Sequence, residues 1–185
     1  EKPTADFLSA LLLGDGPAAG GRIGFGAARG AFTEPISPVS LPPTVVDADG
    51  LKLLAALPDW PRLLPAPAVL TPHPGEMAKL TCISKDEIQA DRIAVARHFA
   101  AEWGHVIVLK GAFTVVAAPD GKVTLQPFAT AALARAGTGD VLAGLITGLL
   151  AQGLRPYSAA VSGAFLHGLS GELATVKVGA QASVL

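Results

Sequence analysis

Short runs of apolar residues alternate along the chain with segments in which apolar residues recur at the helical period. Each run is four or five residues long, is rich in valine and leucine, and ends at a polar residue, which is typical of strands buried on both faces. The pattern predicts three such strands, over 44–47, 68–71 and 105–109. It also predicts a hairpin, with strands over 114–118 and 123–126 about a Pro-Asp-Gly-Lys turn.

Helices are predicted between and after these strands. Ser84 and Glu87 form a capping-box pattern that opens the predicted helix over 84–103. The other predicted helices cover residues 1–13, 50–57, a short segment that ends at Leu80, 139–153 and 158–175. The segment 14–43 is rich in glycine and proline, so we expect mostly loop there, with a short strand near Ile23.

The order of these elements predicts an α/β fold. Strands that alternate with helices indicate a mainly parallel sheet covered by helices on both faces, and the hairpin adds antiparallel strands. The length of 185 residues is that of one domain, so we expect residues 1–185 to form a single domain.

Composition excludes several classes of function. Apolar residues make up 50% of the chain and charged residues 16%, which excludes a disordered chain. The net charge of −1, without a basic run, argues against nucleic acid as a partner. The longest apolar run, over 141–150, is shorter than the roughly 20 residues of a membrane span. With one cysteine, Cys82, and no leader-like segment at residue 1, the expected location is the cytoplasm.

The sequence Gly-Thr-Gly-Asp over 137–140 is the strongest candidate for chemistry. Its glycines allow a ligand to approach the backbone, and the N–H groups at the start of the following helix attract anions. Asp140 could accept a proton from a hydroxyl group held beside such an anion. Alternatively, Asp140 is an acidic first-turn residue favoured by the helix dipole.

Polar residues also follow the predicted strands, at the edge of the sheet where ligands bind in parallel α/β folds. They are Asp47 and Asp49, then His73 and Glu76, then Lys110 and Thr114. Each has a structural alternative. The two aspartates could cap the next helix, His73 could be a structural hydrogen-bonding residue, Glu76 a first-turn acid, and Lys110 a surface lysine.

Other residues are expected to have structural roles. His98 and His105 are expected to be structural or solvated, and His167 is expected to be a core histidine. No spacing of potential ligands indicates zinc, and no Gly-x-Ser-x-Gly elbow indicates a serine hydrolase. The glycines over 24–30 do not match the dinucleotide-binding fingerprint, because the last glycine comes one position late.

Four sequence blocks, in this order, resemble the ADP-dependent NAD(P)H-hydrate dehydratases of the ribokinase-like superfamily. The blocks are Val-Asp-Ala-Asp-Gly-Leu over 46–51, Leu-Thr-Pro-His-Pro-Gly-Glu over 70–76, Leu-Lys-Gly over 109–111 and Gly-Thr-Gly-Asp-Val-Leu-Ala-Gly over 137–144. The match is strongest over 44–172. The resemblance implies a three-layer α/β/α fold and the carbohydrate-kinase-like domain of that superfamily.

The resemblance also implies a repair reaction, in which hydrated NADH or NADPH loses water at the expense of ADP, with AMP and phosphate as by-products. It implies Asp140 as the catalytic base and assigns Mg²⁺ to the nucleotide phosphates, without a protein ligand that we can name. The implied substrate-binding residues are His73, Asp140, Glu76 and Asp47. The implied nucleotide-binding residues are Lys110, Gly111, Ala112, Phe113, Thr114, Thr138 and Gly139. Homo-oligomers are common in the family.

The chain departs from the family pattern in two places. Residues 126–136 lack the usual asparagine- and glycine-bearing stretch, and Arg135 stands where a small residue is usual. No segment matches the N-terminal part of the family domain, so we expect a partial chain. The alternative functions are a ribokinase-like small-molecule kinase, which would share the Gly-Thr-Gly-Asp block, and an inactive nucleotide-binding fragment.

Overall fold

A computed structural model describes residues 2–13 and 41–178 of the chain. The chain divides into two compact units, residues 1–41 and 42–185. In the first unit the structure describes one helix, α1 (Lys2–Leu13), which confirms the helix predicted there. Residues 14–40 of the loop predicted over 14–43, with the strand predicted near Ile23, lie outside the described residues.

The second unit contains the sheet. Its strands are β1 (Val45–Val46), β2 (Val69–Leu70), β3 (Val106–Leu109), β4 (Val115–Ala117) and β5 (Val123–Leu125). Its α-helices are α2 (Asp49–Leu54), α3 (Pro74–Thr81), α4 (Lys85–Ala90), α5 (Arg92–Trp103), α6 (Thr138–Ala151) and α7 (Pro156–Val178). Two short 3-10 helices, Trp60–Leu63 and Ala131–Leu133, lie in the connections.

The five strands form one open sheet in the order β1-β2-β3-β4-β5. The first three strands are parallel, with Val69 opposite both Val45 and Val106. The last three are antiparallel, with Val108 opposite Val116. The predicted parallel strands and the predicted hairpin are therefore both confirmed in a single mixed sheet.

Helices cover both faces of this sheet. Alternate residues of a strand point to opposite faces. Val106 and Val108 of β3 pack in one cluster with Ile146 of α6 and Ala160 of α7, whereas Ile107 between them is also fully buried and α5 contacts the same strand. The α/β/α layering is thus confirmed. None of the described helices has the length and apolar character needed to cross a bilayer.

The predicted helix over 84–103 is interrupted at Asp91. The capping box is confirmed, because the backbone N–H of Glu87 donates to the Ser84 hydroxyl. At Asp91, however, the backbone leaves the helical region and the side chain accepts a hydrogen bond from the N–H of Ala94 at 2.9 Å. This local bond competes with the helical ladder, so a second helix, α5, begins at Arg92.

His105 is a structural histidine, as expected. Its Nδ1 accepts a hydrogen bond from the N–H of Ala68 at 3.1 Å, and its Nε2 lies 2.8 Å from the carbonyl oxygen of Pro61. A carbonyl oxygen can only accept, so the proton is on Nε2 and the ring is neutral. Burial lowers the pKa of His105, and the contact with Pro61 opposes that shift in part.

We expect the free energy of unfolding to fall as the pH drops from about 7.5 to about 5.5. The pKa of His105 is lower in the folded chain than in the unfolded chain, so the unfolded chain binds the proton more tightly. The stability is therefore present above the unfolded-state pKa and is lost below it. Urea unfolding at the two pH values measures the effect. In His105→Asn, whose amide oxygen can still accept from Ala68, the loss should be smaller, and an equal loss in both proteins would contradict the role of His105.

Candidate active site

The polar residues that follow the three parallel strands meet at one edge of the sheet. Lys110 Nζ, after β3, lies 2.6 Å from Oδ1 of Asp47, after β1, and 3.7 Å from Oε2 of Glu76, in the helix after β2. The three side chains are at most 20% exposed. The sequence prediction that these clusters come together is confirmed by this geometry.

His73 and Glu76 form a capping box at the start of α3. Nδ1 of His73 accepts hydrogen bonds from the N–H groups of Gly75 and Glu76, and Oε2 of Glu76 accepts one from the His73 N–H at 2.8 Å. The structural alternatives for both residues are therefore confirmed. They do not exclude a role in binding, because the imidazole of His73 is 54% exposed.

Asp47 and Asp49 do not cap α2. The N-cap residue is Ala48, and no side chain makes a cap hydrogen bond there. Asp49 is exposed and accepts from Lys52 at 2.7 Å, and this hydrogen bond lowers the pKa of Asp49. The capping prediction was wrong because Asp47 is held by Lys110 and Asp49 points to its own helix neighbour.

A cavity of about 640 Å³ lies beside this cluster. It is bounded by the loop after β3, the segment 126–135, the start of α6 and the middle of α7. Seven predicted site residues line it: His73, Lys110, Gly111, Ala112, Thr114, Thr138 and Gly139. Four others, Asp47, Glu76, Phe113 and Asp140, are not part of its described wall.

The start of α6 offers unpaired backbone N–H groups to this region. Its N-cap, Gly137, has a φ of 88° and makes no side-chain cap bond. Thr138 N–H donates to the Arg135 carbonyl at 3.4 Å, whereas the N–H groups of Gly139 and Asp140 have no partner within residues 2–13 and 41–178. The N–H groups of Gly139 and Asp140 are thus available to an anion, whereas that of Thr138 makes a long bond to Arg135.

Gly139 lies directly against the ion-pair cluster. A Cβ atom at Gly139 would stand 3.5 Å from both Asp47 Oδ2 and Lys110 Nζ. Asp140 is the next residue along the first turn and is exposed. The structure therefore places the candidate base one residue beyond the cavity wall, within the same turn of helix.

The prediction that His167 is a core histidine is wrong. It lines the cavity, and its Nε2 is buried without a hydrogen-bond partner in the described part of the chain. Burial lowers the pKa of His167, a contact with the backbone of Thr138 opposes the shift, and the charge of Lys110 adds to it. The helical period of α7 could not separate a core position from a cavity wall.

The cluster at this edge cannot bind an anion through Lys110 alone. Asp47 and Glu76 each carry a negative charge and Lys110 one positive charge, so the lysine is already paired with two carboxylates. A phosphate group in the cavity would depend on backbone N–H groups for much of its binding. The arrangement suits a nucleotide whose phosphates lie against loop and helix backbone.

A family profile described as NAD(P)H-hydrate dehydratase matches residues 6–184. The chain belongs to the NAD(P)H-hydrate dehydratase family. The resemblance that the sequence blocks indicated is therefore confirmed.

Curated relatives carry the name of this family. The chain is 46% identical to the bifunctional NAD(P)H-hydrate repair enzyme Nnr of Moorella thermoacetica, over 86% of this chain and 31% of the relative. It is 38% identical to the ADP-dependent (S)-NAD(P)H-hydrate dehydratase of Neisseria meningitidis serogroup B, over 96% of this chain and 59% of the relative. The chain thus spans between about a third and three-fifths of the length of these relatives.

Solved structures confirm the ribokinase-like fold. The ADP/ATP-dependent NAD(P)H-hydrate dehydratase of Bacillus subtilis, co-crystallised with ATP and Mg²⁺ and soaked with CoA, matches with a TM-score of 0.64 and 40% identity. The match covers 72% of this chain and 47% of that one. A ribokinase-like superfamily protein of Enterococcus faecalis matches with a TM-score of 0.57 and 27% identity, over 69% and 43% of the two chains.

One wall of the cavity in this family member depends on a glycine of α7. A Cβ atom at Gly168 would lie 2.1 Å from the ring of Phe128, which is part of the same wall. We expect Gly168→Ala to lower the free energy of unfolding by about 1–3 kcal/mol, because the ring must move. Gly144→Ala in α6 is the matched control. A Cβ there meets no atom of the described residues within 4 Å, so this substitution should stabilise the fold by about 0.5–1 kcal/mol. Equal stability of the two variants in urea would contradict this packing.

Proposed function

We propose that this protein catalyses the ADP-dependent dehydration of hydrated NADH and NADPH, giving AMP, phosphate and NAD(P)H. The observation that carries the proposal is that His73, four of the five residues of the loop over 110–114, and Gly139 line one cavity. Membership of the family and the names of its relatives support the same reaction. A nucleotide and a nicotinamide hydrate would meet at the edge of the sheet.

The nucleotide side of the site consists mainly of backbone. The loop Lys110–Thr114 and the first turn of α6 provide N–H groups, and these are suited to the spread charge of a transferring phosphoryl group. Lys110, held by Asp47 and Glu76, would place its positive charge beside those phosphates. Asp47 and Glu76 would then act by orienting Lys110 and His73, in place of the direct substrate contacts expected from the sequence.

The hydrate side requires a base and a contact for the nicotinamide nucleotide. Asp140 would accept the proton of the hydrate's hydroxyl group as the oxygen attacks the terminal phosphorus of ADP and AMP leaves. Loss of phosphate and of a proton from the neighbouring carbon then restores the double bond. His73, more than half exposed beside the cavity, would contact the hydrated nucleotide.

Mg²⁺ fits this site as a companion of the nucleotide. The described residues contain no group of three or more histidine, cysteine, aspartate or glutamate side chains that could hold a metal ion. Mg²⁺ commonly keeps several waters and binds through substrate phosphates with one or two carboxylates. When bound, Mg²⁺ would neutralise charge on the nucleotide phosphates. Asp140, which is exposed and follows Gly139 in the sequence, is the carboxylate beside this position.

Two further proposals concern the setting of the protein. A homo-oligomer is supported by exposed apolar side chains on α7, among them Phe165, Leu173 and Val176. A cytoplasmic location is supported by the single cysteine and by the intracellular nature of the proposed substrates.

We expect Asp140→Asn to reduce turnover of the hydrate by roughly 10²-fold or more, since amide nitrogen and oxygen cannot take up the proton. ADP affinity should stay within a few-fold of the wild-type value. The assay follows the return of reduced-nicotinamide absorbance with ADP and hydrated NADH. Asp120→Asn, in the exposed hairpin turn, is the control and should retain full turnover. Near-normal turnover by Asp140→Asn would remove the base assignment, and no turnover by the wild type would refute the reaction.

Two substitutions separate the binding role of His73 from its capping role. His73→Asn keeps a good N-cap for α3 but removes the imidazole, whereas His73→Ala removes both. We expect both variants to raise KM for the hydrate with little change for ADP. Only His73→Ala should also lose stability, by about 0.5–2 kcal/mol. A wild-type KM for His73→Asn would show that the imidazole serves the fold alone.

A further inference from the structure

Arg92 is brought to the candidate nucleotide loop by the break between α4 and α5. Because Asp91 ends one helix and caps the next, Arg92 is the first residue of α5. The start of α5 lies at the same edge of the sheet as the end of β3, and the guanidinium group reaches across to the loop Lys110–Thr114.

The guanidinium group holds the loop at two points. Its Nη2 donates to the carbonyl oxygen of Leu109 at 2.8 Å, and its Nη1 donates to the carbonyl oxygen of Ala112. Between these two points, Gly111 has a φ of 149°, and a Cβ atom there would lie 2.9 Å from Nη2. The loop and the arginine are therefore in close contact over three residues.

These contacts determine which backbone groups of the loop remain available. The carbonyl groups of Leu109 and Ala112 are bound by Arg92, and that of Gly111 accepts from the Thr114 hydroxyl at 2.9 Å. The N–H groups of Gly111 and Ala112 have no partner in the part of the chain that the structure describes. Both residues line the cavity, so this stretch has the carbonyls of Leu109, Gly111 and Ala112 occupied and the N–H groups of Gly111 and Ala112 free.

We infer that Arg92 is a positioning residue, which fixes the loop Lys110–Thr114 in the conformation that leaves the N–H groups of Gly111 and Ala112 free for the phosphates of an adenine nucleotide. The inference rests on the proposed function for the identity of the ligand. Arg92 itself is not a cavity-lining residue, so its effect passes through the carbonyl groups that it binds. Its Nε is buried without a partner among the described residues, a cost that the two carbonyl bonds offset.

The planar fork of arginine is what this role requires. Two donors in a fixed geometry can hold two carbonyl groups at a set separation, whereas a lysine ammonium is a single point charge on a flexible stem. Lysine at this position would keep the charge and lose the geometry. Arg92→Lys is therefore expected to keep only part of the ADP affinity and of the slow loop exchange that Arg92→Ala loses.

The test combines ADP binding by calorimetry with hydrogen exchange of the loop in the full-length protein. The informative N–H groups are those of Lys110 and Phe113, which donate to the Pro72 and Phe128 carbonyls at 2.8 and 2.7 Å. In Arg92→Ala we expect faster exchange at both positions and an ADP Kd raised roughly tenfold or more. KM for ADP should rise in step, while KM for the hydrate changes little. Gly111→Ala, which crowds the guanidinium group, should act in the same direction.

Arg97→Ala is the matched control, since Arg97 is an exposed arginine on the same helix. It should leave exchange and ADP affinity unchanged. Wild-type exchange in Arg92→Ala would overturn the inference, and so would weaker ADP binding with unchanged exchange, which would indicate direct contact with the nucleotide. If the wild type bound no ADP but Arg92→Ala still sped loop exchange, the proposed function would fail and the hold of Arg92 on the loop would stand.

Discussion

The ion pair between Lys110 and Asp47 is the interaction on which the candidate site depends. It joins the ends of two strands that lie 63 residues apart in the chain, and Glu76 brings in the strand between them. Breaking such a largely buried pair leaves an uncompensated charge, which typically costs about 3–5 kcal/mol. The edge of the sheet is thereby fixed, and Gly139 packs against the same two charged groups.

A lysine that is paired in this way has a limited role with a nucleotide. Its charge is balanced by two carboxylates, so the phosphates would be bound chiefly by backbone N–H groups of the loop and of the first turn of α6. Backbone groups bind well only where the chain is held in place. Arg92 provides that hold on one side of the cavity, and the Thr138 hydroxyl, 2.8 Å from the Leu133 and Arg135 carbonyls, provides it on the other.

The sequence predicted the strands and the edge of the site well, because both are encoded locally. Apolar runs that end at Asp47 and Lys110 give the ends of β1 and β3, and the order of strands then brings those ends together.

The break at Asp91 was not predictable in the same way. It depends on whether a side chain or the helical ladder satisfies the N–H of Ala94, and tertiary contacts decide that competition. His167 and Arg92 were missed for a related reason, since helical position does not show whether a side chain meets a core, a cavity or a loop.

In the proposed site, an adenine nucleotide binds in the cavity with its phosphates between the loop after β3 and the start of α6. A crystal structure of the full-length protein with ADP and Mg²⁺ tests it most directly. We expect phosphate oxygens within hydrogen-bond distance of the N–H groups of Gly111 or Ala112 on one side and of Gly139 or Asp140 on the other. Nucleotide bound elsewhere, or phosphates that contact neither backbone segment, would contradict it.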